Sequence, residues 1–391
     1  MKKVDCKRLN RKGFCKIKLL RERVNIREKM KIKSIIFNHL PLFIRIMLFR
    51  KMRMNSVVGC YGHVFSNALN EAYETYLTPG QRADKKYIDN LTNDIISCWL
   101  LYQALPYEYF LFNFEKRDHK GRWAFETDTD RINTLLRVSD VVSFSKEINN
   151  KYNFYQLAKS YFKREAIRIE SVNQIEEFTS FVKKNGEVFI KPLDGSKGRG
   201  THVYSYVDDN ATIAFFKELM KEGSSWMVEQ RICQSASMGQ WNETSVNTIR
   251  IPSFLCDGKF TVIWTRMRMG KKGAIVDNAA AGGIVVNVDP QTGIITSDGI
   301  DESHNHFDKH PDCGLSFKGW QVPHWDELLK TVEELHRTVF NKHIYIAWDF
   351  ALTDEGWVVI EGNWGQLLGQ QTASQIGVRK QFHELIGDYG K

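Results

Sequence analysis

The chain has 391 residues, 42% of them hydrophobic and 26% charged, which suits an ordinary soluble globular protein with two or three domains. The net charge of +9 is uneven: residues 1–54 hold 18 Lys and Arg against 3 acids, and the remaining residues hold 37 basic against 43 acidic. The basicity therefore belongs to an N-terminal arm and does not mark the folded body as a binder of polyanions.

The arm ends in an apolar stretch, SIIFNHLPLFIRIMLFR (34–50), interrupted by Asn38, His39, Pro41 and Arg45. It is too short and too broken to span a bilayer, and no small-residue cleavage site of a secretory leader follows the basic run. Two readings stay open. One is a helix lying on an anionic membrane surface, and the other is a helix packed on the body behind a basic tail. Nucleic acid is not expected, because nothing else in the chain supplies base-reading or stacking motifs. The seven cysteines are scattered, with no CxxC pair and no zinc-type spacing to histidine. They read as reduced packing residues of a cytosolic protein.

Residues 55–145 read as mainly helical. LTNDIISCWLLYQAL (91–105) places apolar residues at helical intervals, and the aromatic run 107–114 suits a strand or a buried helix. NNKYNFYQLAKSYF (149–162) opens like a helix capped by Asn149 or Asn150, with Lys151 in its first turn. A cation is badly placed there by the helix dipole, so either a counter-anion or plain exposure accounts for it. SVNQIEEFTSFVKKNG (171–186) is a second helix, closed by Gly186.

Next come two strands, VFIKP and THVYSY, joined by a loop in which Gly195, Gly198 and Gly200 alternate with Lys197 and Arg199. Such a loop can close its backbone N–H groups on a phosphate, or it can be a plain flexible hairpin. It is neither a Walker A loop nor a GxGxxG fingerprint. Lys191, ending the first strand, and Glu229, inside the apolar strand SSWMVEQRIC (224–233), are charges that need partners if buried. A hairpin over 245–270 turns at Asp257-Gly258, with Arg266 and Arg268 on one face and Arg250 in the other arm. Three arginines on a sheet suit anionic oxygens, or a solvated face. Asp277-Asn278 precede a small-residue run, Ala279 to Gly283, and HWDELLKTVEELHRTVF (324–340) is an amphipathic helix.

Residues 346–364, IAWDFALTDEGWVVIEGNW, read as two strands about an Asp354-Glu355-Gly356 turn. Pairing them brings Asp349 roughly opposite Glu361, with Asn363 on the same face. Like charges opposite each other destabilise a sheet unless a cation lies between them. Two carboxylates and an amide carbonyl are a hard oxygen set suited to Mg²⁺ or Mn²⁺. A solvated hairpin face with two unrelated acids would look the same.

The order of these features resembles the ATP-grasp superfamily. The runs SVNTIRI, DNAAAGG and AWDFALTDEGWVVIEGNWG are similar to its sugar-transfer-associated branch, found with polysaccharide biosynthesis genes. The likeness covers roughly 145–391. It implies an α+β fold in which two lobes sandwich ATP, here behind a mainly helical N-terminal region. The corresponding divisions are an arm (1–54), a helical region (55–145), a small lobe (146–235) and a large lobe with the metal site (236–391). The resemblance also implies that Lys151 and Lys191 neutralise the phosphates, under a loop that includes Ser196, Lys197, Gly198 and Gly200. Glu229, Gln230 and the Ile232 backbone would form the adenine-side hinge. Asp349, Glu361 and Asn363 would hold Mg²⁺, two ions being expected, and Arg250 and Arg268 would stabilise the transferring phosphoryl group.

This inventory suits phosphoryl transfer, which needs positioning and charge neutralisation and no covalent nucleophile. The expectation is a cytoplasmic, or inner-face membrane-associated, ATP-dependent carboxylate–amine ligase. It would act through an acylphosphate on a sugar or cell-surface polysaccharide precursor. A kinase on the same scaffold, or a non-catalytic ATP-binding accessory protein, are the alternatives.

Overall fold

A computed structural model describes residues 39–59, 62–193, 200–223, 225–277, 282–301, 305–365 and 367–387. The N-terminal part is helical: α1 (Leu42–Met52), α2 (Phe65–Tyr76), α3 (Lys85–Tyr102), α4 (Pro106–Leu111) and α5 (Asp128–Val138). The aromatic run after Tyr107 is thus helical, with Pro106 at the first position of α4, where its missing N–H costs nothing. Asp84 caps α3 by accepting from Lys86 N and Tyr87 N at 3.0 Å. The helix stops at Tyr102, short of the periodic pattern's end at 105, because Gln103 turns left-handed with φ 56°. Leu69, Ile95, Ile96, Tyr109, Phe112 and Phe125 form the core of this region.

α1 lies on that core by one side only. Phe49 is buried edge-on to Phe65, while Phe43, Met47 and Met52 are 72%, 59% and 74% exposed. The helix therefore packs on the body, as one reading of residues 34–50 has it, and it also leaves Phe43 and Met47 exposed one turn apart, with Met52 exposed on another side. The basic residues 1–38 lie outside the described chain.

The expected helix over 149–162 has its cap, since Asn150 accepts from Asn153 N at 3.0 Å. It is interrupted at Ala158, giving α6 (Lys151–Leu157) and a further turn, Lys159–Phe162. Phe154 of α6 stacks on Phe340, with centroids 5.2 Å apart, so this stretch packs against the C-terminal sheet.

The small lobe follows with β1 (Ala166–Ile169), α7 (Ile175–Asn185), β2 (Glu187–Pro192), β3 (His202–Ser205), α8 (Asp209–Glu222) and β4 (Trp226–Gln230). The antiparallel strands run β1-β4-β2-β3. Alternation turns Val188, Ile190 and Val228 toward Phe178, Val182 and Phe216 of the two helices. The same alternation puts Lys191 and Glu229 together on the other face.

The large lobe is an eight-stranded antiparallel sheet built from β5 (Thr248–Cys256), β6 (Lys259–Thr261), β7 (Thr265–Met269), β8 (Ile284–Val288), β9 (Gly299–Ile300), β10 (His306–Phe307), β11 (Tyr345–Thr353) and β12 (Gly356–Asn363). The order is β10-β9-β8-β7-β5-β11-β12, with β6 also on β5. Asp257 and Gly258 both have positive φ, as a two-residue hairpin turn requires. Ile249, Ile251, Met267, Val286, Trp348 and Phe350 form one face, covered by Leu328, Val332 and Leu335 of the amphipathic helix α9 (Trp325–Thr338). The opposite face carries the polar residues. α10 (Leu368–Ser374) packs over β8, and α11 (Arg379–Leu385) closes the described chain.

Candidate active site

Register alone assembles the site on the large sheet. Asn287, Arg266, Arg250, Asp349 and Glu361 are successive cross-strand partners on β8, β7, β5, β11 and β12, so they lie in one row on one face. A bulge sets the last pairing. Phe350 pairs Val359 and Asp349 pairs Glu361, leaving Ile360 over. Without that extra residue Glu361 would fall opposite Trp348, on the face α9 covers. Asn363, opposite Ala347, shares the polar face.

The electrostatics of the row are uneven. Asp349 is 1% exposed. Arg250 donates to both of its oxygens, through Nε and through Nη2 at 2.6 Å, and Arg268 Nη2 lies 3.0 Å from Oδ2. Burial pushes the Asp349 carboxyl up, but Arg250 and Arg268 outweigh it and hold it well below the usual carboxylate range. Glu361 goes the other way: burial and the Asp349 charge raise it, against Arg250, Lys191 and Arg268. Asn363 Nδ2 lies 3.4 Å from Glu361 Oε1, and Asn363 Oδ1 accepts from Gly365 N at 2.6 Å. Asp277 is buried beside Arg268 Nε at 3.4 Å and accepts from the Thr248 hydroxyl, its own carboxyl raised by burial.

On the facing small lobe, Lys191 Nζ is 2.6 Å from Glu229 Oε1, and Arg164 holds Oε2 through Nη2 at 2.6 Å and Nε at 2.9 Å. Burial raises the Glu229 carboxyl, and the two cations more than reverse this. Glu229 thus neutralises Lys191. Gln230 beside it is exposed, and Ile232 is half-buried. Lys151 Nζ donates to Pro192 O and Leu193 O at 2.9 and 3.2 Å, pinning the base of the glycine loop. Gly200 closes that loop with φ 69°, a conformation that favours glycine. Ser196, Lys197 and Gly198 lie outside the described residues.

Three residues absent from the expected set hold this arrangement. Arg164 also donates to Val359 O at 2.9 Å, which ties the Glu229 cluster to the strand bearing Glu361. Arg131, from the N-terminal helical region, donates to Trp364 O just beyond Asn363 and to Asp128 Oδ1 at 3.1 Å. Asp277 is the third. The buried Glu229 in an apolar strand signalled the need for cations, but no local signal marked Lys191 and Arg164, both far along the chain, as the ones that meet it. Nothing local marks Arg131 as a partner of a strand 233 positions away.

Two α+β lobes, one carrying a buried lysine–glutamate cluster and the other an acid pair, define with the family match below a protein of the ATP-grasp class. A model of the sugar-transfer-associated ATP-grasp family matches residues 134–385, and the chain belongs to that family. No curated protein matches. Among solved structures, the chain is similar to D-alanyl-alanine synthetase A from Vibrio cholerae O1 biovar eltor, at 10% identity and a TM-score of 0.40, over 62% of this chain and 65% of that one. The chain thus spans just under two thirds of that enzyme's length. It is also similar to the VanG D-Ala:D-Ser ligase from Enterococcus faecalis (14% identity, TM-score 0.40, 64% of each chain). The D-cycloserine synthetase DcsG matches at 11% identity and a TM-score of 0.40, over 74% and 82%.

Proposed function

We propose that this ATP-grasp protein is a carboxylate–amine ligase acting on a sugar or cell-surface polysaccharide precursor. The carrying observation is the acid pair Asp349–Glu361, paired directly across two strands with Lys191 within electrostatic reach. Mg²⁺ or Mn²⁺ fits the donors. All are oxygens, Glu361 is a carboxylate raised by its neighbour's charge, and Asn363 Oδ1 keeps one lone pair beyond its bond to Gly365 N. Bound there by Asp349, Glu361 and Asn363, such ions would neutralise charge on the nucleotide phosphates.

The chain's own residues do the rest. Lys191 and Lys151 position the phosphates from the small lobe, and Arg250 and Arg268 keep Asp349 ionised. An oxygen of the acceptor carboxylate attacks the γ-phosphorus and the bond to ADP breaks, leaving an acylphosphate. An amine then attacks the acyl carbon, orthophosphate departs, and the amine loses a proton. The test is acceptor-dependent ADP release, with hydroxylamine present to trap the acyl group. The reading expects a hydroxamate and its loss in Glu361→Ala and Asp349→Ala. A stable phosphorylated product with no hydroxamate would make the protein a kinase. Normal turnover in both variants would remove the metal assignment.

The arm supports a second, independent reading, peripheral contact with an anionic membrane. Its support is the exposed apolar side chains Phe43, Met47 and Met52 on α1, a helix that also carries Arg45, Arg50 and Lys51 and follows the basic sequence of the arm. No helix among the described residues is long and apolar enough to cross a membrane.

A further inference from the structure

Two of the three arginines on the site face are matched. Arg250 is paired with Asp349, and Arg268 with Asp349, Asp277 and the Thr248 hydroxyl. Arg266, Arg250's neighbour in the row, has no hydrogen bond or ion pair among the described residues, and its Nε is sealed from solvent without a partner. A partly buried cation without a counter-charge still carries a desolvation cost, and proteins rarely keep such a group unless something binds it. Burial and the two neighbouring guanidinium groups pull its pKa down to about 9.

The surroundings are unsatisfied in a complementary way. Tyr345, on β11, has a buried hydroxyl with no partner; burial pushes its pKa up, and the Arg131, Arg250 and Arg266 guanidinium groups, in that order, oppose this. Asn287 faces Arg266 across β8. Its Nδ2 donates to Gln370 O at 3.1 Å, which fixes the amide orientation and leaves Oδ1 as a buried acceptor without a donor. The chain packs tightly over the guanidinium at Gly369, where a Cβ would lie 2.6 Å from Arg266 Nη1. Arg266 and Asn287 are thus a directly paired cation and acceptor, each with an unsatisfied buried atom, and the unpartnered Tyr345 hydroxyl lies within electrostatic reach of the cation.

We propose that Arg266 and the Tyr345 hydroxyl bind an anchoring oxyanion of the acceptor, a carboxylate or a phosphate, and that Asn287 Oδ1 accepts from a hydroxyl or amine beside it. Arg266 lies two strand spacings from Asp349, roughly 10 Å along the row. The reacting end at Glu361, one strand further on, lies roughly 14 Å from the anchor at Arg266 and thus calls for an acidic, hydroxyl- or amine-bearing acceptor longer than a single sugar ring. The orientation of that acceptor rests on the ligase reading; the anion site itself does not.

The test loads the full-length protein with Mg–AMPPNP, so that the nucleotide's phosphate positions are filled. Acetate and orthophosphate are then titrated separately at constant ionic strength and followed by calorimetry. Saturable binding of at least one is expected, weakened tenfold or more in Arg266→Gln and partly restored in Arg266→Lys. The better-bound anion identifies the anchor as carboxylate or phosphate. Arg266→Met is expected to melt at or above the wild-type temperature, because no pair is broken. A structural arginine would give a lower melting temperature, so that result would overturn the assignment. So would saturation by neither anion, or equal affinity in Arg266→Gln. Should AMPPNP fail to bind, the ligase reading falls, and the same titration on the free protein still decides about Arg266.

Discussion

Glu229→Gln isolates what the buried charge cluster contributes. The carboxylate serves two cations, Lys191 and Arg164, whose side chains are 8% and 5% exposed. Removing one partner of a buried ion pair costs about 3–5 kcal/mol. The glutamine carbonyl, placed where Oε2 stood, can keep both bonds from Arg164 while losing the one from Lys191, which offsets about 2 kcal/mol. A net loss of about 2 kcal/mol raises the local unfolding constant roughly 30-fold. Amide hydrogen exchange on β2 and β4 reads that opening directly. Asp209→Asn breaks a pair of the same chemistry whose partners are about half exposed, and should leave the exchange of these strands unchanged. The pH dependence carries the sign. The folded Glu229 carboxyl lies below its ordinary value, so its stabilisation is present above the unfolded glutamate pKa of about 4.3 and lost as pH falls through the folded pKa. That acid limb should vanish in Glu229→Gln. A change in β2 and β4 exchange below about fivefold would refute the reasoning, because burial would then not be what gives the cluster its weight.

His383 provides the opposite sign. Burial opposes its charge, yet Asp130 and Glu126 raise it to about 9, so its stabilisation is full below the unfolded value of about 6.5 and lost as pH rises through about 9. Thermal melts should show that alkaline decline in wild type and a flatter profile in His383→Gln; an identical decline in both would remove His383 from the account. The membrane reading of the exposed apolar residues of α1 predicts that Phe43→Gln, Met47→Gln and Met52→Gln together reduce sedimentation with anionic liposomes tenfold or more, since each buried apolar side chain is worth about 1.5–3 kcal/mol. Unchanged sedimentation would leave α1 as a packing helix only.

Much of the site was readable where local rules apply. Alternation and the Asp354–Gly356 turn put Asp349, Glu361 and Asn363 on adjacent strands, and the Asp257-Gly258 turn put Arg250 on the arm opposite Arg266 and Arg268. Strict pairing about the first turn would nevertheless set Asp349 against Ile360. The bulge that corrects this by one residue has no signature in the sequence, because it is selected by what each face packs against. The periodic stretch over 149–162 hid the break at Ala158. The contacts that lock the lobes, Arg164 to Val359 O and Arg131 to Trp364 O, join residues 195 and 233 positions apart. No propensity or spacing reports on them. The residue types expected at the site were therefore legible. Their division of labour was not, because Arg250 and Arg268 serve Asp349 and leave Arg266 unmatched.

Calorimetric titration of AMPPNP into the full-length protein, with and without Mg²⁺, tests the central claim that nucleotide is held between Lys191 and the acid pair. Tight binding that needs the cation, and that weakens tenfold or more in Glu361→Gln, is the predicted result. Equal affinity in wild type and Glu361→Gln, or binding indifferent to Mg²⁺, would contradict it.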